Sequence, residues 1–247
     1  MSVLVENRNG ALVLTLNRPE AGNSLNGAVG QGLIDALGDA ATNDAIRSVI
    51  ITGAGERIFC AGMDLKAFAA GEDLSTLGPG LALLSGCPKP VIAAVNGMAL
   101  AGGFEVMMKC DLVVAADHAK FGIPEVKRGL VAAGGGTRLP RRIPLQVALE
   151  MGLTGEPITA QRALELGLIN RVVPGADVLE TALQLAALIN ANGPLAVQAT
   201  KLLMLEEIGE DTASHVRQVV APVFASEDAR EGATSFAEKR PPVWKGR

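Results

Sequence analysis

The first apolar runs of the chain are "VLVE" and "ALVLTL", joined by the turn signal "NRNG". Runs of this kind around an Asn-Gly pair predict a β-hairpin. The spacing then changes. Val29, Leu33, Ile34 and Leu37 fall three or four residues apart, which predicts a helix from about Ala28 to Ala40 with one buried face. Three short apolar runs follow, "SVIIT", "PVIAAV" and "DLVVAA". They read as buried strands, separated by glycine-bearing loops and short helical patterns. Strands alternating with helices predict an α/β core.

After about Gly152 the pattern shifts. "ITAQRALELGL" predicts an amphipathic helix opening, and "INRVV" a returning strand. From Ala176 onward the spacing is helical almost throughout, with Pro194 in place as a helix start. The chain therefore divides near Asn192, into an α/β core over 1–192 and a helical region over 193–247. The terminal "FAEKRPPVWKGR" is too short to form a core of its own and is expected to dock on the body or on a neighbouring copy.

Composition narrows the function. Of 247 residues, 49% are hydrophobic and 29 are glycine, enough for a sizeable core with many close backbone approaches. A net charge of −4 speaks against a general nucleic-acid binder and against a polybasic membrane binder. Cys60, Cys87 and Cys110 have no paired spacing, which argues against a disulfide framework or a zinc site and fits a reducing cytoplasm. His118 and His215 have no ligand spacing, so no metal is expected. No apolar run of membrane-spanning length and no leader pattern is visible, and a cytoplasmic protein is expected. "GAGERI" lacks the third glycine of a dinucleotide loop, because Ile58 stands there. "LLSGC" lacks the first glycine of a nucleophile elbow, because Leu83 stands there.

Three stretches carry chemistry. In "FCAGMDLKAF" a strand ends, Gly62 permits an unusual turn, and a short helix starts at about Asp64. The Met63 N–H is then free at a helix N-terminus, where negative charge is welcome. The plain alternative is an ordinary strand-to-helix turn capped by Asp64. In "ALAGGFEVMM" a glutamate sits in an apolar stretch behind two glycines. Gly102 would offer a second N–H, with Glu105 one helical turn later; the plain alternative pairs Glu105 with a lysine or arginine at a helix–helix contact. In "FGIPEVKRGLVAAGGGTRLPRRIP" Pro124 stiffens the approach to Glu125, and Gly134 to Gly136 open another helix. Here the plain alternative is a surface glutamate paired with Lys127 or Arg128. Two carboxylates and two prepared amide donors, with no histidine candidate, describe enolate chemistry. Paired N–H groups polarise a thioester carbonyl while carboxylates move protons at the neighbouring carbons.

The order "NRPEAGNSLN", "FCAGMDLKAF", "NGMALAGGFEVMMKCDLVVAA", "FGIPEVKRGL…GGGTRLPR" and "FAEKRPPVWKGR" resembles the crotonase superfamily, the enoyl-CoA hydratase/isomerase group, over the whole chain. The resemblance implies a spiral of ββα turns with a C-terminal helical trimerisation region, assembled as a homotrimer or homohexamer. It implies an acyl-CoA thioester substrate, no cofactor beyond the coenzyme A of the substrate, and an oxyanion hole from the amides of Met63 and Gly102. Hydratases of the family carry both glutamates, matching Glu105 and Glu125. Retention of both favours an enoyl-CoA hydratase over an isomerase. The implied substrate contacts are Ala21, Gly22, Ser24, Ala61, Gly62, Met63, Asp64, Leu65, Met98, Ala101, Gly102 and Pro124, with Phe236 and Lys239 in the C-terminal region. There are departures. Glu20 stands where many members have lysine, and Ala133 where hydratases often have glycine, so Val131 to Ala133 are expected to reshape the acyl pocket. "CAGMDLKAF" and "VKRGLVAAGGG" also resemble the carnitinyl-CoA dehydratase branch. The readings kept beside hydratase are an isomerase, such a dehydratase, and a non-catalytic acyl-CoA-binding protein.

Overall fold

The computed structural model describes residues 1–205, 218 and 221–247, except the side chains of 233, 236 and 237. The first two strands, β1 (Val3–Arg8) and β2 (Ala11–Leu16), form the expected hairpin. Asn9 and Gly10 both take positive φ, +53° and +83°. This is the twist that suits a two-residue turn between antiparallel strands.

From there the chain winds as a spiral, and each turn gives one strand to each of two sheets. The larger sheet runs β1-β2-β3-β5-β7-β10, with β3 (Ser48–Gly53), β5 (Val91–Val95), β7 (Leu112–Ala116) and β10 (Arg171–Val173). All its pairings after the hairpin are parallel. β3 and β5 are buried on both faces, which explains their unbroken apolar runs. The smaller sheet runs β4-β6-β8-β9, with β4 (Ile58–Cys60), β6 (Met98–Leu100), β8 (Lys120–Gly122) and β9 (Ile158–Thr159). β4, β6 and β8 are parallel neighbours.

Helices fill the turns: α1 (Gly27–Thr42), α2 (Leu65–Ala69), α3 (Leu77–Gly86), α4 (Gly102–Met108), α5 (Leu145–Thr154), α6 (Ala160–Glu165), α7 (Val178–Asn190) and α8 (Pro194–Leu205). α1 matches the expected apolar face and is capped by Asn26, whose side chain accepts from Val29 N. Two local expectations need correction. Ile158 and Thr159 begin as a strand, and the helix starts only at Ala160, where the Thr159 hydroxyl caps it through Arg162 N. Gly134 to Gly136 lead into a short 3-10 helix, Gly136–Arg141, not a full α-helix.

α7 buries Val178, Ala182 and Ala186 against the large sheet, whereas α8 buries no residue. The terminal segment docks on the body. Trp244 donates its indole N–H to Ala191 O (2.8 Å), and buried Asp228 in the C-terminal helix Glu227–Glu238 accepts from the amides of Lys245 (2.7 Å) and Gly246 (2.9 Å). No helix among the described residues is long and apolar enough to cross a membrane.

Candidate active site

Parallel pairing puts the C-terminal ends of β4, β6 and β8 along one edge. The residues that leave those ends are Ala61-Gly62-Met63, Ala101-Gly102 and Ile123-Pro124-Glu125. Three consecutive turns of the spiral thus deliver Met63, Gly102 and Glu125 to equivalent places, and Glu105 follows in the first turn of α4.

The first two turns meet at their glycines. Gly62 has φ +96°, and a methyl group built on it would stand 2.9 Å from Gly102 N and 3.2 Å from Leu100 O. A methyl on Gly102 would lie 3.4 Å from Met63 N. The two amides are therefore neighbours, and a side chain on Gly62 would wedge them apart. Their directions follow from peptide planarity, since C=O and N–H of a trans peptide point opposite ways. Gly62 O accepts from Leu25 N (2.8 Å), which turns the Met63 N–H away from Leu25. Ala101 O accepts from Glu105 N (3.1 Å) in the first turn of α4, which aims the Gly102 N–H off the helix start. Ala101 itself takes φ +51°, ψ −127°, a costly conformation for a residue with a Cβ, held by its N–H bond to Gly122 O (2.9 Å). Neither the Met63 nor the Gly102 N–H donates to an acceptor among the described residues.

Glu105 is only 7% exposed. Its Oε1 accepts from Gly136 N (2.8 Å), so an amide answers the charge in place of the lysine or arginine of the plain alternative. The glycine run wraps the carboxyl closely: a methyl on Gly134 would collide with Oε2. Glu125 opens a 3-10 helix, Pro124–Arg128, and is half-buried. Its Oε2 is buried without a hydrogen-bond partner among the described residues, while Lys127 pairs with Glu156 (2.6 Å). The surface-pair alternative for Glu125 with Lys127 is therefore not what forms. Burial foremost, and then the charge of Glu105, push the Glu125 carboxyl above its ordinary pKa.

Beside Glu125 lies an apolar cavity of about 230 Å³, walled by Ile123, Val131, Ala132, Gly136, Leu149 and Leu153 among others. Val131 and Ala132 line this cavity; Ala133 is not among its lining residues. Gly136 touches both carboxylates' surroundings, donating to Glu105 and lining the cavity of Glu125.

The other expected contacts fall in two groups. Ala21, Gly22 and Ser24 lie with Ala61 to Leu65: Ala61 N donates to Gly22 O (3.0 Å), Leu25 bridges to Met63, and Asp64 caps α2 through Lys66 N and Ala67 N. Ala101 and Pro124 directly precede Gly102 and Glu125. Met98, in contrast, starts β6 opposite Ile58, at the far end of that strand from Gly102. Lys239 is exposed just past the C-terminal helix, and among the described residues no hydrogen bond or ion pair links it to the two amides or the glutamates. The Phe236 side chain and His215 lie outside the described residues. Sequence reasoning gave no role to the Gly136 amide or to Arg18, which holds Asp64 (2.9 Å). The "NRP" motif was visible, but a salt bridge 46 positions away in the chain leaves no local pattern.

Comparison with known proteins identifies the family. The model of the enoyl-CoA hydratase/isomerase family matches residues 6–247. An enoyl-CoA hydratase of Mycobacterium tuberculosis is 44% identical, covering 99% of this chain and 96% of that protein. A carnitinyl-CoA dehydratase of Proteus mirabilis is 41% identical over 100% of this chain and 99% of its own length. Among solved structures, an enoyl-CoA hydratase from Mycobacterium tuberculosis H37Rv superposes with a TM-score of 0.95 at 49% identity, covering 100% of this chain and 99% of that one. Fold and full-length similarity agree: the chain belongs to the enoyl-CoA hydratase/isomerase family of the crotonase superfamily.

Proposed function

We propose that the protein is an enoyl-CoA hydratase that adds water reversibly across the C2=C3 bond of a 2-enoyl-CoA. The observation that carries this reading is the pair of unlike carboxylates: Glu105 is buried and held by one amide, and Glu125 nearby has a buried oxygen with no partner among the described residues. A water between them completes the unpartnered oxygen and attacks C3. One carboxylate takes a proton from that water, and the other, protonated, delivers a proton to C2. Charge that develops on the thioester oxygen is received by the N–H groups of Met63 and Gly102. One such donor is typically worth a factor of roughly 10² to 10³ in rate. Each acid–base contribution is typically about 10²- to 10⁴-fold. Dehydration of a 3-hydroxyacyl-CoA passes through the same groups in reverse. Neither direction is a net oxidation or reduction, so this chemistry calls for no redox cofactor.

The apolar cavity beside Glu125 suits an aliphatic acyl chain. The coenzyme A portion is assigned to the segments around Ala21–Ser24 and Ala61–Leu65, with Phe236 and Lys239 offered by a neighbouring copy. A homotrimer or homohexamer is supported by the outward Leu202, Met204 and Leu205 of α8, of which Met204 is 81% exposed. A cytoplasmic setting is supported by Cys60, Cys87 and Cys110, all free and buried.

The test is hydration of crotonyl-CoA set beside isomerisation of a 3-enoyl-CoA, in the wild type, Glu105→Gln, Glu125→Gln and the double variant. Each single change is expected to cost hydration about 10²-fold or more. The double variant should lose much less than the product, because the two act on one water. One dead single variant beside one near-normal one would move the assignment to an isomerase. Binding of the thioester with no turnover in the wild type would move it to a non-catalytic binder.

A further inference from the structure

The two oxyanion amides differ in what holds them. The Gly102 peptide is locked into α4. The Met63 peptide sits in a surface segment, and both peptides flanking Met63 are pinned by one residue, Leu25. Leu25 N donates to Gly62 O (2.8 Å), and Asp64 N donates to Leu25 O (2.9 Å). This bridge lies outside the named strands, with the Ala61 N–H bond to Gly22 O (3.0 Å) beside it. Something must keep the two short segments together.

Arg18 touches both. Its Nη1 donates to Ser24 O (2.8 Å) and Ser24 Oγ (3.2 Å), immediately before Leu25. Its Nη2 lies 2.9 Å from Asp64 Oδ2, immediately after Met63. The other carboxylate oxygen, Asp64 Oδ1, accepts from Lys66 N and Ala67 N and so starts α2. The Arg18 and Asp64 side chains are 19% and 12% exposed, well below a solvated surface pair. The Asp64 carboxyl is held below its ordinary pKa, first by the Ala67 amide, with Arg18 adding to the effect. Arg18 is itself placed by the turn that follows β2, where its N–H donates to the side chain of Asn23 (3.0 Å).

We propose that Arg18 is a positioning residue for the reaction: its planar guanidinium staples Ser24 to Asp64 and so holds the bridge that aims the Met63 N–H at the thioester oxygen. The inference rests on the reading of Met63 as an oxyanion donor. The fork geometry matters, because two nitrogens in a fixed plane hold two targets at once. A lysine at this position supplies one compact charge on a flexible stem and cannot do both.

The test uses Arg18→Lys, Arg18→Gln, Asp64→Asn and the Arg18→Gln/Asp64→Asn double variant in the full chain. Three quantities are read: kcat and KM for crotonyl-CoA hydration, the melting temperature, and the absorption of bound 4-dimethylaminocinnamoyl-CoA. This conjugated thioester shifts to the red when its carbonyl is polarised, whether or not it reacts. Arg18→Gln is expected to lose about 10²-fold in kcat, the scale of a misplaced catalytic contact. KM should change only a few-fold, and the red shift should shrink. Arg18→Lys should recover part of both. The double variant should be little worse than the worse single one, since the two side chains act through one contact. If Arg18→Gln does not fold, Asp64→Asn carries the test on the same criteria, because asparagine still caps a helix. A folded variant with wild-type kcat and a full red shift overturns the inference, and so does a loss confined to KM. A wild type that leaves the probe unshifted overturns the oxyanion reading itself; a shift retained in every variant overturns only the role of Arg18.

Discussion

The two turns of the spiral that supply the candidate oxyanion amides are built on opposite plans. The Gly102 turn is held by packing. α4 buries Phe104, Glu105, Val106 and Met107, and Gly103 lies so close to Cys60 that a Cβ there would collide with its carbonyl oxygen. The Met63 turn is held by polar contacts. Met63, Leu65 and Phe68 are 38%, 48% and 62% exposed, and α2 buries only Ala67. A five-residue helix cannot hold itself in water, so its direction comes from the Asp64 cap, the Leu25 bridge and Arg18. Apolar packing fixes a donor where the chain is buried. Where the chain must stay open to a ligand, hydrogen bonds have to do it, and the exposed side chains are left free to meet that ligand.

Breaking the packed arm should give the largest effect. Gly102→Pro removes the donor N–H. Turnover is expected to fall about 10²- to 10³-fold, the usual value of one oxyanion contact. The change also constrains Ala101, whose φ of +51° is poorly tolerated before proline. The melting temperature should therefore fall too, and kcat is to be measured on protein shown to be folded by circular dichroism. Near-normal turnover would show that this amide does not serve the reaction.

A pair of truncations sharpens the contrast. Leu65→Ala on the open arm should leave stability within about 0.5 kcal/mol, as for exposed positions generally. It should raise KM a few-fold while kcat holds, the mark of a contact made equally in ground and transition states. Val106→Ala on the packed arm, where the side chain is fully buried, should cost on the order of 2 kcal/mol in denaturant unfolding. Equal stability losses at the two positions would erase the distinction between the arms.

How much of this the sequence disclosed follows the same division. The buried strands β3, β5 and β7, the hairpin and α1 were all legible, because each is written in a local apolar pattern. The glycines at 62 and 102 were legible as places where backbone comes close, and Glu105 as a charge that needed an answer. What answered it was not legible. The Gly136 amide lies 31 positions away, and nothing in a glycine announces that its N–H faces a carboxylate. Arg18 was hidden for the same reason, since its partners Ser24 and Asp64 come together only through the bridge at Leu25. Two residues cannot display a period, so the spacing gives Ile158–Thr159 to the following helix. β9 exists through its pairing with β8. The assignment to hydratase chemistry leaned on the resemblance, which carried information that apolar spacing does not hold.

The smallest expected effect separates the two carboxylates. Glu105 has an amide partner, whereas Glu125 has a buried oxygen with none and a carboxyl pushed above its ordinary value of 4.5 by burial and by Glu105. A carboxyl with a raised pKa binds its proton more tightly in the folded chain than in the unfolded one. Between the ordinary value and the raised one the native state holds more protons, so stability falls as pH climbs through that window. The contribution is whole below the ordinary carboxylate pKa and gone above the raised one. Glu125→Gln cannot titrate. Its stability relative to the wild type should therefore improve as pH rises from about 4 through the window, then level off. Urea midpoints of both proteins across that range provide the comparison. Glu105→Gln, measured in parallel, should lose stability instead, because the new NH2 group has to fit where the glycine run at 134–136 wraps the carboxyl. A difference between wild type and Glu125→Gln that stays constant with pH would mean the Glu125 carboxyl is solvated in the folded protein.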